Sequence, residues 1–512
     1  MSTLNPSFSA PGEALPPVAP SDSWLPRVRS PRPMFVAALG LGLLTELLLD
    51  APRWGLSFPL VAVALLGTLA WLGGREGWQR ARPNAWLAAP LLVFASFVAV
   101  RASPWLTAIN VLTSGVLLML LTHFWAAGRV QRLGLGGYPF TILVSSLQGV
   151  RYTPALVRDT VDLQAARKQV PRLLPFARGL LFVVPVLAVF AVLLESADVA
   201  FASAVDRVLS VPLAPLLGET IGRTIGVLVS ACVAAGVLGH ALRRRAPREW
   251  GEEEAAPAKP RLGITEAMML VLSVDALFLV FAGFQVAYLF IEGATSPAPG
   301  YSYAEYARRG FFELVCVSAL TLALLMALAR WTRRETLLAD RVFRIGATGT
   351  VALSLVILAS AMKRMALYEA AFGYTHLRLY THIFMFALGA VLSWRAVTLW
   401  WRPERFAIGM FLTALGSVLA LNLVNPDAFI ARRNLELYTS TGIVDMEYLS
   451  RLSADAVPEM VKGRLDPVSS VKMQWVMRDF AQQAFAGRGW TEWTLADWQA
   501  RRSLEEAGYT TP

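Results

Sequence analysis

Cysteine, histidine and charge are scarce in this chain. Two cysteines, Cys232 and Cys316, and four histidines are spread over 512 residues. Both cysteines fall inside long apolar runs, where a small packing side chain is the expected role. No disulfide framework and no Cys-rich metal site is therefore expected. Charged residues make up 16% of the chain, against about 25% in soluble domains. No Gly-rich phosphate loop ending in Lys, no HExxH and no GxSxG occurs, which argues against ATP-driven transport by this chain, zinc proteolysis and hydrolase chemistry. Neither a solenoid repeat nor paired half-chain symmetry is visible.

What fills the chain instead is apolar: 55% of residues are hydrophobic. A helix crossing roughly 30 Å of hydrocarbon needs about 20 mostly apolar residues. Runs of about that kind lie at 34–49, 55–72, 85–100, 105–125, 179–194, 220–242, 263–290, 311–329, 345–362, 379–399 and 406–423, which makes eleven. The first is short and carries Glu46; a Pro-rich stretch before it and no small-residue site after it make it a poor signal peptide. Residues 1–33, rich in Pro and Ser, read as a disordered cytoplasmic leader. The run 138–150 is apolar but too short to span, so a re-entrant or interfacial path stays open.

The net charge of +11 follows from sidedness. With the N-terminus inside, the inner segments hold 28 Lys and Arg residues and the outer loops 8. Basic residues near membrane ends are retained in the cytoplasm, so the bias sets orientation, and nucleic-acid binding is not expected. The expected fold is all-α: a polytopic transmembrane helical bundle over 34–424, with an extracytoplasmic helical C-terminal region over 425–512. That region carries ten basic and twelve acidic residues. Its start and stop signals predict about four helices: from Asn425-Pro426-Asp427 to Gly442, then short helices after Asp445 and near Pro458. A longer one follows Asp466-Pro467, and an amphipathic pattern begins at Thr494. Its core is too small for an expectation of independent folding.

Three polar motifs fall on the expected outer side. The first runs from Tyr301 to Glu313. On a helix Glu305 faces Arg308 and Arg309, and Arg309 faces Glu313; Tyr303 suits an interfacial belt. Glu313 lies a turn into the apolar run, where an unpaired carboxylate is costly. The second runs from Lys363 to His382 and contains Glu369, Tyr374 and Arg378 as a candidate polar network. His376 and His382, six residues apart, do not share a helical face, so no local metal site is expected. The third follows Asn422 and holds Asn425, Arg432 and Arg433. Capping accounts for Asn425, Asp427, Asp445 and Asp455, whereas Arg432 and Arg433 suit an anionic headgroup or acidic partners. Within the spans, Asp275 is the outstanding polar residue, open to structural pairing or to a proton- or ligand-linked role. Glu46, Glu219 and Arg223 sit near span ends, where a structural role is favoured.

The segments YAEYARRGFFEL, GYTHLRLYTH and NPDAFIARRNLE followed by DMEYLSRLSADAVP resemble a bacterial polytopic membrane family of unknown function (DUF4153/DUF4173-like), over roughly residues 140–510. The resemblance implies an integral protein of the bacterial cytoplasmic (inner) membrane and carries over no catalytic residue. No cofactor is expected. The expected partners are membrane lipids, with an anionic lipid or small molecule at the outer face. Three functions remain open. Foremost is ligand or lipid recognition, with a regulatory or envelope-assembly role. A permease using Asp275 and Glu313, and an intramembrane enzyme acting on lipid-linked substrates with Glu305, Glu313 or Glu369, follow.

Overall fold

The computed structural model describes residue 28 and residues 30–160, 213–243, 261–290, 311–442, 444–463, 467–487 and 489–509. Among these residues the regular structure is helical, with an isolated bridge between Leu262 and Thr332. The first half contains α1 (Pro31–Leu49), α2 (Ser57–Ala81), α3 (Ala88–Val100), α4 (Pro104–Ala126), the short α5 (Gly137–Val150) and α6 (Tyr152–Thr160), and α7 (Leu213–Ala241). The second contains α8 (Ile264–Phe290), α9 (Phe311–Trp331), α10 (Leu337–Phe372), α11 (His376–Trp400) and α12 (Phe406–Val424). Five shorter helices end the chain: α13 (Pro426–Thr441), α14 (Met446–Ser450), α15 (Val457–Lys462), α16 (Pro467–Phe485) and α17 (Leu495–Glu506).

Nine helices among the described residues are long and apolar enough to cross a bilayer: α1, α2, α4, α7, α8, α9, α10, α11 and α12. Each matches an expected span. Of the other two expected runs, 85–100 forms a shorter apolar helix, and 179–194 lies outside the described residues. The largest departure is α10. It has 36 residues where 345–362 was expected, because Thr336 caps its start by accepting from the Ala339 N–H and Gly373 ends it. At about 1.5 Å per residue such a helix exceeds the hydrocarbon thickness by several turns, so Glu369 continues a helix rather than starting a loop.

Apolar residues here serve two surfaces. On α8, Met269, Leu272, Leu277, Val280 and Phe284 are exposed, whereas Ala267, Val271 and Phe278 are buried against neighbours. An outward apolar face of that extent suits lipid. Where helices touch, small residues let backbones approach. A Cβ on Gly42 of α1 would stand 2.6 Å from the Val227 carbonyl of α7, so this crossing requires glycine.

The interior forms three clusters. One joins α1 to α7 around Leu69, Leu117, Phe124 and Leu238, and Ala407 of α12 reaches into it. A second joins α8 to α11 around Phe343, Val351, Leu358 and Met385. α12 bridges them, packing on α11 and on α4, with Phe411 stacked on Tyr138 of α5 at 4.9 Å between ring centres. The third cluster belongs to the C-terminal helices, around Ile430, Leu449, Met460, Met477 and Leu504, but it includes Leu379 of α11. The small core is thus completed by a membrane helix.

The C-terminal helices cap one end of the bundle. The Gly55 N–H donates to the Thr491 carbonyl at 3.2 Å, and the Leu56 N–H to the Trp493 carbonyl at 3.0 Å. The α1–α2 connection, the α3–α4 connection and the α10–α11 connection all meet this cap.

Candidate functional site

Two backbone devices shape the capped end. Gly373, at φ 76°, turns the chain from α10 into α11, and a Cβ there would lie 2.7 Å from Asn434 Oδ1. Asn425, at φ 53°, turns α12 into α13 in the left-handed region that Asn tolerates better than most residues. Its side chain makes no capping bond. The two turns bring the second and third motifs together. The Tyr374 N–H donates to Asn434 Oδ1 at 2.7 Å, and Asn434 Nδ2 donates to the Tyr374 carbonyl at 3.0 Å.

Between these turns lies a relay of three side chains. His376 Nε2 meets Asp427 Oδ1, and an ionised carboxylate only accepts, so the imidazole proton is assigned to Nε2. Nδ1 is then free to accept from the Tyr448 hydroxyl at 3.0 Å. The Tyr448 oxygen in turn accepts the His376 backbone N–H at 2.8 Å. The second oxygen of Asp427 accepts the Ser453 N–H at 3.1 Å. Burial alone would raise the Asp427 carboxyl, but the hydrogen bonds from His376 and Ser453 outweigh it and hold it below the usual carboxylate range. Burial raises the Tyr448 phenol, with the His376 backbone N–H acting in the opposite direction.

A second buried group ties the cap to the α3–α4 connection. Arg101 Nη1 lies 3.3 Å from Asp455 Oδ1. The Ala102 N–H donates to Asp455 Oδ2 at 2.7 Å, and Arg101 Nη2 donates to the Asn422 carbonyl. The side chain of the same Asn422 exchanges amide hydrogen bonds of 2.9 and 2.8 Å with Asn110. Burial raises the Asp455 carboxyl; the Ala102 N–H and Arg101 oppose that shift. Asp427 and Asp455 therefore do not cap helices as expected. Their carboxylates are buried and receive donors from distant elements, while Asp445 does cap α14, accepting from the Tyr448 N–H at 2.9 Å.

Both groups border a cleft of about 1020 Å³ between the bundle and the cap. Its charged lining includes Arg53, Arg101 and Arg451, with Asp427, Glu492 and Asp497. Asp427 is engaged by His376, and Asp497 accepts from the Thr494 hydroxyl at 2.8 Å. Its apolar lining includes Trp54, Trp105, Ala108 and Leu112. Residues 105, 108 and 112 share one face of α4 by helical spacing, and Trp105 and Leu112 are about 70% exposed.

The expected site residues fare unevenly. Tyr303, Glu305, Arg308 and Arg309 lie outside the described residues. Glu313 is exposed in the first turn of α9, and among the described residues no hydrogen bond joins it to the other motifs. Glu369 is buried and accepts from His382 Nδ1 at 3.0 Å. Arg378 lies over the Tyr368 ring, donates to the Phe372 carbonyl at 3.0 Å and also bonds the Gly373 carbonyl. Glu369 and Arg378 thus secure the turn through separate partners. Arg432 and Arg433 are exposed and flank the Phe429 ring, Arg433 pairing with Glu436 of its own helix at 2.8 Å. Asp275 faces α10 and bonds Thr350, and among the described residues its buried Oδ1 has no hydrogen-bond partner. At the span ends, Arg223 pairs with Glu219 at 2.8 Å and Asp50 at 3.5 Å.

The relay of His376, Asp427 and Tyr448 and the Arg101–Asp455 bridge were not among the expected site residues. Sequence separations of 51, 72 and 354 residues hide them from any local pattern. The available signal was the rarity of histidine together with the density of polar residues after Asn422. At the other end of the bundle a further cluster is equally distant in sequence. His240 Nε2 lies 3.3 Å from His123 Nδ1, Ser145 Oγ lies 3.2 Å from that nitrogen, and Arg243 donates to both histidine carbonyls. Among the described residues no group of three or more His, Cys, Asp or Glu side chains is arranged to hold a metal.

Long apolar helices with lipid-suited faces and a helical cap closing one end define a multi-pass membrane protein. The chain belongs to the family described as a domain of unknown function (DUF4153), whose model matches residues 88–463. That match starts with α3, before the 140 expected, and stops after α15, leaving α16 and α17 beyond it. No curated protein and no solved structure matches the chain.

Proposed function

We propose that the cleft receives an amphipathic ligand with an anionic, phosphate-type headgroup, and that the protein acts in lipid or ligand recognition at the outer face of the bacterial cytoplasmic membrane. The observation that carries this reading is the division of the cleft wall. Arg53, Arg101 and Arg451 line the same space as Trp54, Trp105 and Leu112. Arg forks suit phosphate oxygens, and an apolar strip along a membrane-spanning helix suits an acyl chain. Arg101 is held by Asp455, which leaves Arg53 and Arg451 as the headgroup ligands. Arg451 pairs with Glu447 at 2.5 Å in an exposed bridge that a phosphate can replace. The outer-face assignment rests on the 28-to-8 bias of basic residues.

The test is quenching of tryptophan fluorescence by brominated lysophosphatidylglycerol in micelles of the full chain. Saturable quenching is expected, lost on Trp54→Phe/Trp105→Phe and about tenfold weaker in affinity on Arg53→Ala/Arg451→Ala, the equivalent of about 1.4 kcal/mol. Equal affinity for a brominated lysophosphatidylcholine, undiminished in the arginine variant, would rule out headgroup recognition. The permease alternative is supported by Asp275, an intramembrane carboxylate with one oxygen that finds no partner among the described residues. Solute uptake into vesicles that Asp275→Asn abolishes would favour it over recognition.

A further inference from the structure

We infer that the cleft is also a reaction site for phosphodiesters of amphipathic alcohols, with Tyr448 as nucleophile and His376 as its base. The inference rests on the recognition reading above and adds chemistry to it. Its warrant is the order of contacts: a hydroxyl on an imidazole nitrogen, and the opposite nitrogen on a carboxylate that a backbone N–H holds in place. Nucleophile, base and orienting group stand within hydrogen-bond reach in sequence, as covalent catalysis needs. Both imidazole nitrogens are engaged, so the group of the relay left to act as nucleophile is the phenol. Tyr448 is half-buried and borders the cleft with Arg451, which lies one turn further along the chain.

The substrate class follows from the basic residues that share the cleft with the nucleophile. Acyl transfer needs N–H donors aimed at one developing oxyanion, whereas phosphoryl transfer spreads charge over several equatorial oxygens. Arg451 and Arg53, which line the same cleft, suit the second kind of charge distribution. The Tyr448 oxygen attacks phosphorus while its proton passes to His376 Nδ1. The new P–O bond forms, the bond to the leaving alcohol breaks, and that oxygen takes the electron pair and the proton from His376. Water then attacks the phosphotyrosyl group and gives its proton to His376. Tyr448 leaves and recovers that proton, so the net reaction is hydrolysis of a diester to a monoester and an alcohol. The His376 backbone N–H, donating to the Tyr448 oxygen, steadies the phenolate as it forms and departs. Asp427 is a positioning residue, fixing the tautomer that leaves Nδ1 free to accept.

The test uses dodecyl p-nitrophenyl phosphate with the purified full chain in micelles. It reads p-nitrophenolate release, and mass spectrometry of digested protein locates any dodecylphosphoryl group. Release with the group on Tyr448 is expected. Tyr448→Phe should lose both, and His376→Ala should slow release by about 100-fold or more, with added imidazole restoring part of it. Asp427→Asn should lower kcat with KM unchanged, and Asp427→Glu should recover part of the loss. Binding of dodecyl phosphate, read by tryptophan fluorescence, runs in parallel. Binding without release or adduct overturns the chemistry and leaves recognition standing; loss of binding as well overturns both. An adduct on another residue, or release that imidazole fails to restore in a folded His376→Ala protein, also overturns it.

Discussion

Replacing Asp455 with alanine should loosen the cap from the bundle at a cost of about 3–5 kcal/mol. The Asp455 carboxylate, about 1% exposed, faces Arg101 Nη1 at 3.3 Å. It also accepts the Ala102 N–H at 2.7 Å and the Ser453 hydroxyl at 3.2 Å. Removing one member of a buried pair strands the other charge, at about 3–5 kcal/mol. Arg101 is 15% exposed and keeps its bond to the Asn422 carbonyl, so its share falls at the low end of that range. The orphaned Ala102 N–H, worth about 1–3 kcal/mol, brings the sum back within it. Because burial already penalises the charged form of Asp455, the net worth of the bridge is smaller than the cost of truncation. Asp455→Asn, which keeps an acceptor for Ala102, should therefore cost only about 1–2 kcal/mol.

Denaturant unfolding of the micellar protein, followed by tryptophan fluorescence, measures both values, and limited proteolysis near the α12–α13 junction reports detachment of the cap. Two results would refute the reasoning. One is Asp455→Ala falling within about 0.5 kcal/mol of the parent, the range of an ordinary surface change. The other is equal losses for the Asn and Ala variants.

Four further outcomes follow from the same geometry. Gly373→Ala combines a positive φ with a Cβ 2.7 Å from Asn434 Oδ1. It should cost about 1–3 kcal/mol, and an unchanged unfolding midpoint would show that the turn can relax. In a double-mutant cycle Asn110→Ala and Asn422→Ala should couple by about 0.6–1.7 kcal/mol, since each amide serves the other; strict additivity would discount the pair. Glu369→Ala leaves the His382 Nδ1 without its acceptor and should cost about 1–3 kcal/mol, readable as a lower thermal midpoint. The fourth concerns pH. Asp427 titrates lower in the folded state, so its contribution is present above about pH 4 and fades as pH falls through its folded value. Asp455 titrates higher when folded, so its contribution is full below about pH 4 and is lost as pH rises through its folded value. Cap stability should thus decline on going up from about pH 4, and Asp455→Asn should flatten that decline, which stability measured over a pH series will show.

Class and most helix positions were legible in the chain because both depend on local quantities. Whether 18 or more neighbouring residues are apolar is a property of a window, so every expected span that falls on described residues reappears as a helix, with 85–100 the short one. Start and stop residues are local too, and Asp445 and Thr494 do cap α14 and α17. Local reasoning failed where one side chain had two available roles. Asp427 and Asp455 stand where caps belong, yet each is turned inward by donors from elsewhere in the chain. The same limit applies to Glu369 and Arg378, expected as one network and found with separate partners. The length of α10 was also missed, because polar residues beyond the hydrocarbon continue a helix without an apolar signal.

That this is a multi-pass helical membrane protein was legible in the chain alone, since the bilayer requires backbone hydrogen bonds to close within each segment and apolar length reports that directly. The chain also marked the starts of α14 and α17, where Asp445 and Thr494 bond their own neighbours, although about four helices were expected in the cap and five form. Which polar groups meet depends on how the helices pack. His376 reaches Asp427 and Tyr448 because the turns at Gly373 and Asn425 fold α11 and α13 onto each other, and Arg101 reaches Asp455 across 354 residues. Hydrogen bonds act over about 3 Å in space and are indifferent to sequence distance, so the cleft and its relay exist only once the helices are packed.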